Sequence, residues 1–261
     1  MLTPAQIEAR RGKLTASRVA VLMNGDAEGI LRLYREMIGE EQEENLDDVW
    51  PVQLGIVTEE LNLRWYERNS GSPVTRRGEV VVHPKYPWAA CTLDGYDIAL
   101  NCPIETKHVG GRKPLETIIE RYSPQMSWQM ACTESKQCAL SVIMGANAPI
   151  VEYIDRDDAY IAEMLSRGQQ FMGFVEARIP PVVLPPVPAP IVASKEYDMT
   201  GQNRWAANAV AWLETRDAAK RCKDSELILK ALVPDDAKKC HGHGVRISRD
   251  RAGRLSLRED A

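Results

Sequence analysis

Long apolar stretches are missing from this sequence. No run among the 261 residues approaches the roughly 20 consecutive apolar residues that cross a bilayer. The first residues, up to Ser17, also lack the apolar core and the small-residue cleavage site of a secretory signal. We therefore expect no membrane partner and no export, and we expect the protein to act in the cytoplasm.

Closely spaced cysteines are also missing. The six cysteines include no Cys-x-x-Cys pair, which argues against an iron–sulfur cluster and against most structural zinc sites. Residues 240–243 read Cys-His-Gly-His, but no second pair of ligands stands at a suitable spacing, so a turn before a hairpin is the better interpretation. In a reducing compartment we expect no disulfides and mostly buried thiols.

A strong net charge is absent as well. The formal net charge of -4 excludes a protein coated in positive charge. The average hides a basic region, because residues 216–258 hold 12 Lys or Arg against 6 Asp or Glu. Local potential decides whether a protein contacts phosphate, so this chain remains compatible with nucleic acid.

The chain divides into three parts by its local patterns, and no internal repeat is visible. Residues 1–178 mix helical and strand-like periodicities, which predicts an α/β domain. Residues 179–192 are rich in proline, which lacks an N–H donor and favours extended backbone, so they form a linker or a strap. Residues 193–261 predict helices followed by a β-hairpin.

Finer patterns place the elements of the first part. Four short β-prone segments, separated by turn residues, predict a meander at 79–83, 88–92, 95–100 and 102–107. A helix is predicted to start near Thr15 or Ser17, one of which offers a capping oxygen to the first N–H groups. Further helices are predicted at 55–69, 124–132 and 159–176, and further strands at 138–144 and 150–154.

Three polar residues stand at neighbouring strands of this pattern. Asp94 lies in an Asp-Gly turn, and Glu105 and Lys107 lie two residues apart on the next strand, so the last two share a face. Two carboxylates at one point require a cation, and oxygen ligands favour Mg²⁺ or Mn²⁺. The lysine either orients an attacking water or, with a lowered pKa, helps to deprotonate it. The set suits phosphodiester hydrolysis, although the spacing alone also occurs in surface ion pairs.

The neighbouring sequence motifs decide between a hydrolytic site and a surface ion pair. The segments 10–17, 55–59, 91–95, 104–107 and 122–130 read RRGKLTAS, GIVTE, CTLDG, IETK and YSPQMSWQM. In this order they resemble the motifs of the phage lambda exonuclease and YqaJ viral recombinase family, a branch of the PD-(D/E)XK nucleases. The resemblance implies an α/β fold with a restriction-endonuclease-like core, in which helices flank a central mixed β-sheet. A small helical and β-hairpin extension follows that core.

The resemblance also implies a metal site. Asp94 and Glu105 would bind Mg²⁺, with Mn²⁺ as a substitute, and the backbone carbonyl of Thr106 would join them. Glu59 would reach in from its helix as a further ligand of the metal or of water; Glu60 is its rival, but the four-residue step from the glycine at position 55 selects Glu59.

Two further groups of residues follow from the family motifs. Arg10, Thr15 and Ser17, joined by Thr92, would bind a DNA 5′-phosphate, and guanidinium, hydroxyl groups and a helix N-terminus all favour an anion. A plain helix cap beside a surface arginine is the alternative. Gln125 would reach the active site from the glutamine-rich helix.

A second glutamine complicates that assignment. Gln129 lies one helical turn after Gln125 on the same face, so either could enter the site. Leu93 stands where the family often has proline in the turn before the aspartate, a departure that we expect to alter loop stiffness more than chemistry.

The implied function is a Mg²⁺-dependent exodeoxyribonuclease of phage or prophage recombination in a bacterial host cell. It would degrade one strand of double-stranded DNA, 5′ to 3′, from a 5′-phosphorylated end. A single-strand annealing protein and a homotrimer are the partners that the resemblance implies. An endonuclease or repair nuclease of the same fold, or a catalytically inactive DNA-binding module, remain alternatives.

Overall fold

The computed structural model describes residues 3–111, 113–190 and 198–260. The chain divides into two compact units, Met1–Ala193 and Ser194–Ala261. The border predicted between residues 192 and 193 lies outside the described residues. The helices are α1 Pro4–Arg10, α2 Ala16–Asn24, α3 Ala27–Ile38, α4 Trp50–Ser70, α5 Leu115–Thr133, α6 Asp158–Ala177 and α7 Asn203–Ala231. Among them, none combines the length and the apolar character that crossing a membrane requires.

The strands are short in the first half of the chain and longer around the centre of the first unit. They are β1 Val74–Thr75, β2 Val80–Val82, β3 Ala90–Thr92, β4 Gly95–Asp97, β5 Cys102–Val109, β6 Gln137–Met144, β7 Ile150–Asp155, β8 Lys239–Gly242, β9 Val245–Arg249 and β10 Leu255–Glu259.

Side-chain oxygens cap the N-termini of several helices. Thr3 caps α1 with a reciprocal bond to Gln6, and Asp26 and Asp157 cap α3 and α6 by accepting backbone N–H groups. Thr15 occupies the N-cap position of α2, but its hydroxyl accepts no N–H group of that helix and lies 3.3 Å from the Ser17 hydroxyl. The predicted capping bond at Thr15 or Ser17 is therefore wrong.

Two helices extend beyond their predicted limits. α4 begins at Trp50 with a proline in its first turn, earlier than predicted. α5 begins at Leu115 and continues through Pro124, where the sequence predicts a start. Proline at that point cannot donate to the carbonyl one turn earlier, so the neighbouring packing maintains the helix. The prediction for the last helix of this unit, 159–176, agrees with α6.

The predicted meander is wrong, because its strands divide between two sheets. β2 and β3 form a separate antiparallel pair, with Val81 opposite Cys91. β4 and β5 belong to a five-stranded sheet of order β1-β4-β5-β6-β7. Only β5 and β6 run parallel, so the sheet is mixed, with α5 between the two parallel strands along the chain.

Helices cover both faces of this central sheet. On one face, Leu140 and Val142 of β6 pack against Met126 and Met130 of α5. On the other face, Leu63 and Tyr66 of α4 pack against Ile104 of β5 and Ala139 of β6. Each such buried side chain stabilises the fold by about 1.5–3 kcal/mol. The core therefore fixes β5 from both sides, and β5 carries Glu105 and Lys107.

One glycine allows α4 to lie this close. A side chain at Gly95 would place its Cβ 2.4 Å from Val74 Cγ1 and 3.1 Å from Leu63 Cδ2. Asn62 of α4 adds a polar anchor, since its Nδ2 donates to the Ser141 carbonyl over 2.9 Å and its Oδ1 accepts from the Ser141 hydroxyl over 2.6 Å. The glycine of the Asp-Gly turn thus serves packing.

The proline-rich stretch packs along the first unit as a strap. Val183 and Val187 contact the core that α2, α3 and α6 share. Val187 N–H donates to the Met23 carbonyl over 2.9 Å, and Arg167 Nη1 donates to the Pro185 carbonyl over 2.7 Å. The prolines have no N–H groups to satisfy, so these few bonds and the apolar contacts hold the strap in place.

Within its described residues, 198–260, the second unit contains one long helix and a three-stranded antiparallel sheet. α7 has no buried residue, and the sheet has the order β10-β9-β8. The predicted hairpin corresponds to β9 and β10, but the prediction of several helices is wrong, and the sequence pattern does not predict β8. The sequence of β8, Lys-Cys-His-Gly, is short and has little β-propensity, so pairing with β9 rather than local preference forms it.

The strap makes a specific demand on the end of α2. Gly25 has φ +66°, and a Cβ there would lie 2.6 Å from Pro186 N and 3.0 Å from the Leu184 carbonyl oxygen. Gly39, at the end of α3, has φ +79° and open space around it. Gly39→Ala therefore suffers only the backbone strain, about 1 kcal/mol, whereas Gly25→Ala also collides with the strap backbone.

We expect Gly25→Ala to lower the free energy of unfolding by at least about 1 kcal/mol more than Gly39→Ala, as measured by urea denaturation. Equal effects of the two substitutions would show that the strap does not constrain Gly25.

Candidate active site

The candidate site lies where β4 stops pairing with β5. The antiparallel ladder between these strands ends at Gly95 opposite Ile104, while β5 continues to Val109. Beyond that point Asp94 takes the place of a strand partner: its Oδ2 accepts the Thr106 backbone N–H over 2.8 Å and the Thr106 hydroxyl over 2.9 Å. The carboxylate is therefore held at an open edge of the sheet.

Burial makes Asp94 a weaker acid than an ordinary aspartate. Burial, and then the nearby charge of Glu105, raise the pKa of Asp94 to about 7, although Lys107 and the Thr106 N–H act in the opposite direction. The ionised carboxylate is thus in a position where a further positive charge would stabilise it.

Asp97, three residues later, is a useful contrast. It is fully buried, but it accepts hydrogen bonds from the Ser72 hydroxyl at 2.6 Å, the Tyr66 hydroxyl at 2.8 Å and the Leu100 N–H at 3.0 Å. Burial alone raises the pKa of Asp97, but these bonds outweigh it and the pKa is lowered. Asp97 is therefore a structural acid, and Asp94 is the one without enough donors.

Glu105 and Lys107 project from the same face of β5 and form an ion pair. Lys107 Nζ also lies 4.8 Å from the centre of the Tyr122 ring. Burial lowers the pKa of Lys107, but the charges of Glu105 and Asp94 outweigh it, and the pKa lies above its usual value. Lys107 is consequently an ammonium at neutral pH, which supports the role of orienting water or phosphate and not that of a base.

Gln129, rather than Gln125, contacts the buried acid. Gln129 Nε2 donates to Glu105 Oε2, so both oxygens of the Glu105 carboxylate are engaged, one by glutamine and one by Lys107. The preference for Gln125 as the residue that reaches the site has no contact to support it. Gln125 Oε1 is buried without a hydrogen-bond partner among the described residues, one turn away on the same helix.

Glu59 lies on α4, close enough to Glu105 for the charge of that carboxylate to affect its pKa. Burial, followed by the charge of Glu105, raises its pKa above the usual range. Its rival, Glu60, is exposed and forms ion pairs of 2.7 Å with Arg64 and with Arg77. These pairs hold Glu60 away from Glu105, so the structure favours Glu59 as the helix-borne acid of the site.

The residues proposed for a phosphate pocket are only partly brought together. Arg10 and Arg18 line one pocket together with Glu36 and Glu43, and Arg18 forms an ion pair with Glu43. Burial, and then the charge of Arg18, lower the pKa of Arg10. Two guanidinium groups that disfavour each other form a site suited to an anion.

The hydroxyl residues of that proposal lie apart from this pocket lining. Thr15 is buried and Ser17 is exposed. A bridge between Leu14 and Ala89 sets the start of α2 beside β3, where Thr92 Oγ1 is buried without a partner among the described residues.

Sequence reasoning missed Arg18 and undervalued Gln129. Arg18 directly follows the quoted motif, and only its contact with Glu43, 25 residues away, places it in the pocket. The spacing of Gln129 from Gln125 predicts a shared face and does not choose between them. The position of α5 over β5 decides which glutamine contacts Glu105, and no local sequence pattern predicts that position.

The donor types at this site fit a hard divalent cation. Asp94, Glu105 and Glu59 offer carboxylate oxygens, and a cation would relieve the repulsion that raises the pKa of Asp94 and Glu59. The Thr106 N–H points to Asp94, and N–H and C=O of one strand residue point to the same side, so the Thr106 carbonyl faces this edge too. Within the described ranges, no three His, Cys, Asp or Glu side chains form a ready-made metal cluster.

Comparison with known protein families identifies the family of this chain. The profile of the YqaJ-like viral recombinase domain matches residues 7–136, which include Asp94, Glu105, Lys107 and Gln129. The chain belongs to the YqaJ-like viral recombinase family. No curated protein sequence matches it.

Solved structures agree with this family. The alkaline exonuclease LHK-Exo from Laribacter hongkongensis is 27% identical and superposes with a TM-score of 0.57 over 67% of this chain and 94% of its own. The same exonuclease in complex with dAMP is 28% identical, with a TM-score of 0.56. A phage related exonuclease from Haemophilus somnus 129PT, at 13% identity and a TM-score of 0.50, shares the fold.

These comparisons confirm the predicted PD-(D/E)XK-like core of a central mixed sheet flanked by helices. Together with membership of the YqaJ-like family, they support a nuclease of the phage recombination type.

The contrast between the two aspartates predicts opposite pH dependences of stability. The folded pKa of Asp94 is raised, so the folded chain binds more protons than the unfolded chain between about pH 4 and pH 7, and stability falls as pH rises through that window. Asp94→Asn removes this destabilisation. At pH 8 in EDTA we expect its melting temperature to exceed that of the wild type by at least about 3 °C, and the gap to close towards pH 4.

Asp97→Asn serves as the control with the opposite sign. The folded pKa of Asp97 is lowered, so its contribution is present at neutral pH and disappears on acidification. We expect this variant to melt below the wild type at pH 8, with a gap that narrows as pH falls. An Asp94→Asn variant that behaves like Asp97→Asn would contradict the assignment of Asp94 as the strained acid.

Proposed function

We propose that this protein is a Mg²⁺-dependent exodeoxyribonuclease that degrades one strand of double-stranded DNA, 5′ to 3′, from a 5′-phosphorylated end. The observation that carries the proposal is the set of buried Glu105 with half-buried Asp94 and Lys107 at the open edge of β5. Membership of the YqaJ-like family and the likeness to LHK-Exo support nuclease chemistry and DNA as the substrate. In this proposal, residues 1–178 form the nuclease domain.

Asp94, Glu105 and the Thr106 carbonyl would hold the metal, and Glu59 would be a further ligand of the metal or of the attacking water. When bound, Mg²⁺, or Mn²⁺ in its place, supplies a Lewis acid that polarises the phosphoryl group and stabilises the leaving alkoxide. The Thr106 N–H and hydroxyl fix the orientation of Asp94, leaving its Oδ1 outside these two hydrogen bonds. Gln129 fixes the carboxylate plane of Glu105 in the same way.

Lys107 and Glu59 have different roles towards the attacking water. The charges of Glu105 and Asp94 raise the pKa of Lys107, which supports a role in which its Nζ donates to the attacking water or to a phosphate oxygen. Glu59 has a raised pKa and no hydrogen bond or ion pair within the described part of the chain, which makes it the residue best placed to accept the proton of the water.

The pocket of Arg10 and Arg18 would select the end. In this proposal the two guanidinium groups bind the 5′-phosphate, and Glu43 leaves when the phosphate enters. A part for the hydroxyls of Thr15, Ser17 and Thr92 in phosphate binding stays a prediction from the family resemblance, because these residues do not line this pocket. A single-strand annealing protein and a homotrimer remain predictions that derive from the family resemblance.

The decisive experiment removes the lysine of the set. We expect Lys107→Ala to reduce Mg²⁺-dependent digestion of linear duplex DNA at least about 100-fold, because the variant has no oriented ammonium. Lys85→Ala, at an exposed lysine, should leave the rate unchanged. The assay follows labels at the 5′ and 3′ ends of duplexes with 5′-phosphate or 5′-hydroxyl termini, beside a closed circular duplex.

Three results would reject the proposal. Digestion of the circle would identify an endonuclease, and digestion beginning at the 3′ end would reverse the direction. Binding without digestion of any substrate would identify a non-catalytic DNA-binding module.

End selection has its own test. Each charge-assisted bond to phosphate contributes roughly 1.5–3 kcal/mol, so Arg18→Ala or Arg10→Ala should raise KM for 5′-phosphorylated ends about tenfold or more. KM for 5′-hydroxyl ends should change little. Glu43→Gln should lower KM, since no carboxylate competes for Arg18.

Arg68→Ala is the matched control for this test. Arg68 is an exposed arginine of α4 that lies over the Trp65 ring and does not line this pocket, so its removal should not affect KM. An equal effect of Arg68→Ala and Arg18→Ala would assign the change to overall charge and not to the pocket.

A further inference from the structure

The small sheet of the second unit has two different faces. Ile247 of β9 is buried and lies opposite Leu257 of β10 and Cys240 of β8, so these side chains share the apolar face. Val233 at the end of α7 is buried as well, and Leu229, Leu232 and Val233 line one pocket with Cys240, Val245 and Ile247. The other face of the sheet is therefore the one directed to solvent.

Cations and hydroxyls form two cross-strand rows on that outer face. In the first row, Arg246 lies between Arg258 of β10 and His241 of β8. In the second row, Ser248 lies between Ser256 and Lys239. His241 also lines the pocket on the apolar side, so we call the other five residues of these rows, Lys239, Arg246, Ser248, Ser256 and Arg258, the basic sheet face.

This arrangement costs stability in the absence of an anion. Like charges directly opposite each other on neighbouring strands are destabilising, and Arg246 faces Arg258. The one ion pair that these cations form within the described residues joins Arg246 Nη1 to Asp260 Oδ1 over 3.5 Å. Lys239 and Arg258 are exposed and have no ion pair within the same residues.

The spacing of the rows suits a chain of phosphates. Neighbouring strands lie about 4.8 Å apart, and alternate residues of one strand lie about 6.6–6.8 Å apart, so the cations spread over an area wider than one phosphate group. No aromatic side chain other than the imidazole of His241 stands in the two rows, so the face offers no platform on which bases could stack. The chemistry is that of backbone contact without sequence preference.

We propose that the basic sheet face binds the phosphate backbone of duplex DNA, as a contact separate from the catalytic edge of β5. This inference rests on the proposed function in that DNA is the substrate. The YqaJ-like profile matches residues 7–136, so the basic sheet face lies outside the segment that the profile matches.

The test measures binding without cleavage. The full-length chain is titrated in EDTA against a short fluorescent DNA duplex with 5′-hydroxyl ends, over a series of salt concentrations. The triple variant Lys239→Ala, Arg246→Ala and Arg258→Ala should bind about tenfold more weakly or worse. The slope of log affinity against log salt should fall by about 0.9 for each phosphate that the variant no longer neutralises.

The matched control removes the same number of charges from the same unit. Lys220, Arg221 and Lys223 are exposed on α7, and their joint replacement by alanine should leave the affinity and the salt slope close to those of the wild type. Arg246→Lys with Arg258→Lys should retain binding, because point charges suffice for backbone contact. Circular dichroism melts verify that the variants fold.

Several outcomes would overturn the inference: an unchanged salt slope in the sheet variant, an equal weakening in the helix control, or weaker binding to an RNA probe with unchanged binding to duplex DNA. Failure of the proposed function is a separate result. A chain that binds duplex DNA through this face but digests none would retain the inference, whereas a chain that digests DNA and binds equally well without the three cations would refute it.

Discussion

The open edge of β5 is the constraint on which the candidate site depends. β4 pairs with β5 only as far as Gly95, so the Thr106 N–H would remain unsatisfied in a nearly dry environment, and Asp94 supplies the missing acceptor. That role brings a carboxylate next to Glu105, and the resulting repulsion is relieved by protonation of Asp94 or by a nearby positive charge. Lys107 provides part of it, and the same unmet demand is what suits the edge to a divalent cation.

Positions governed by local rules could be predicted from the sequence. Strand alternation puts Glu105 and Lys107 on one face, and the capping aspartate before α6 matches the predicted start of that helix. Features decided by distant packing could not be predicted in this way. Pro124 lies inside α5 because the helix is buried on both sides of it. β2 and β3 pair with each other outside the central sheet, whereas β4 pairs with β1 and β5, and no local pattern chooses these partners.

Side-chain roles show the same division. Asp94 and Asp97 are three residues apart and both buried or nearly so, yet one pKa is raised and the other lowered. The difference comes from Ser72 and Tyr66, which are brought to Asp97 by a helix end more than 20 residues earlier. Arg18 and Gln129 likewise acquire their partners through tertiary contacts. A motif therefore locates the acids, but the fold decides which of them is chemically active.

The ion pair between Arg18 and Glu43 has a consequence for the choice between chain ends and chain interiors. If phosphate binds to these arginines, it does so by exchange, because it must displace a carboxylate that already carries one negative charge. An internal phosphodiester also carries a single charge and gains little electrostatic energy by the exchange. A terminal phosphate carries close to two charges at neutral pH and gains more. Glu43 would thus act as a built-in competitor that sets a charge threshold, so that the pocket rejects the uniform backbone and accepts the end of a strand.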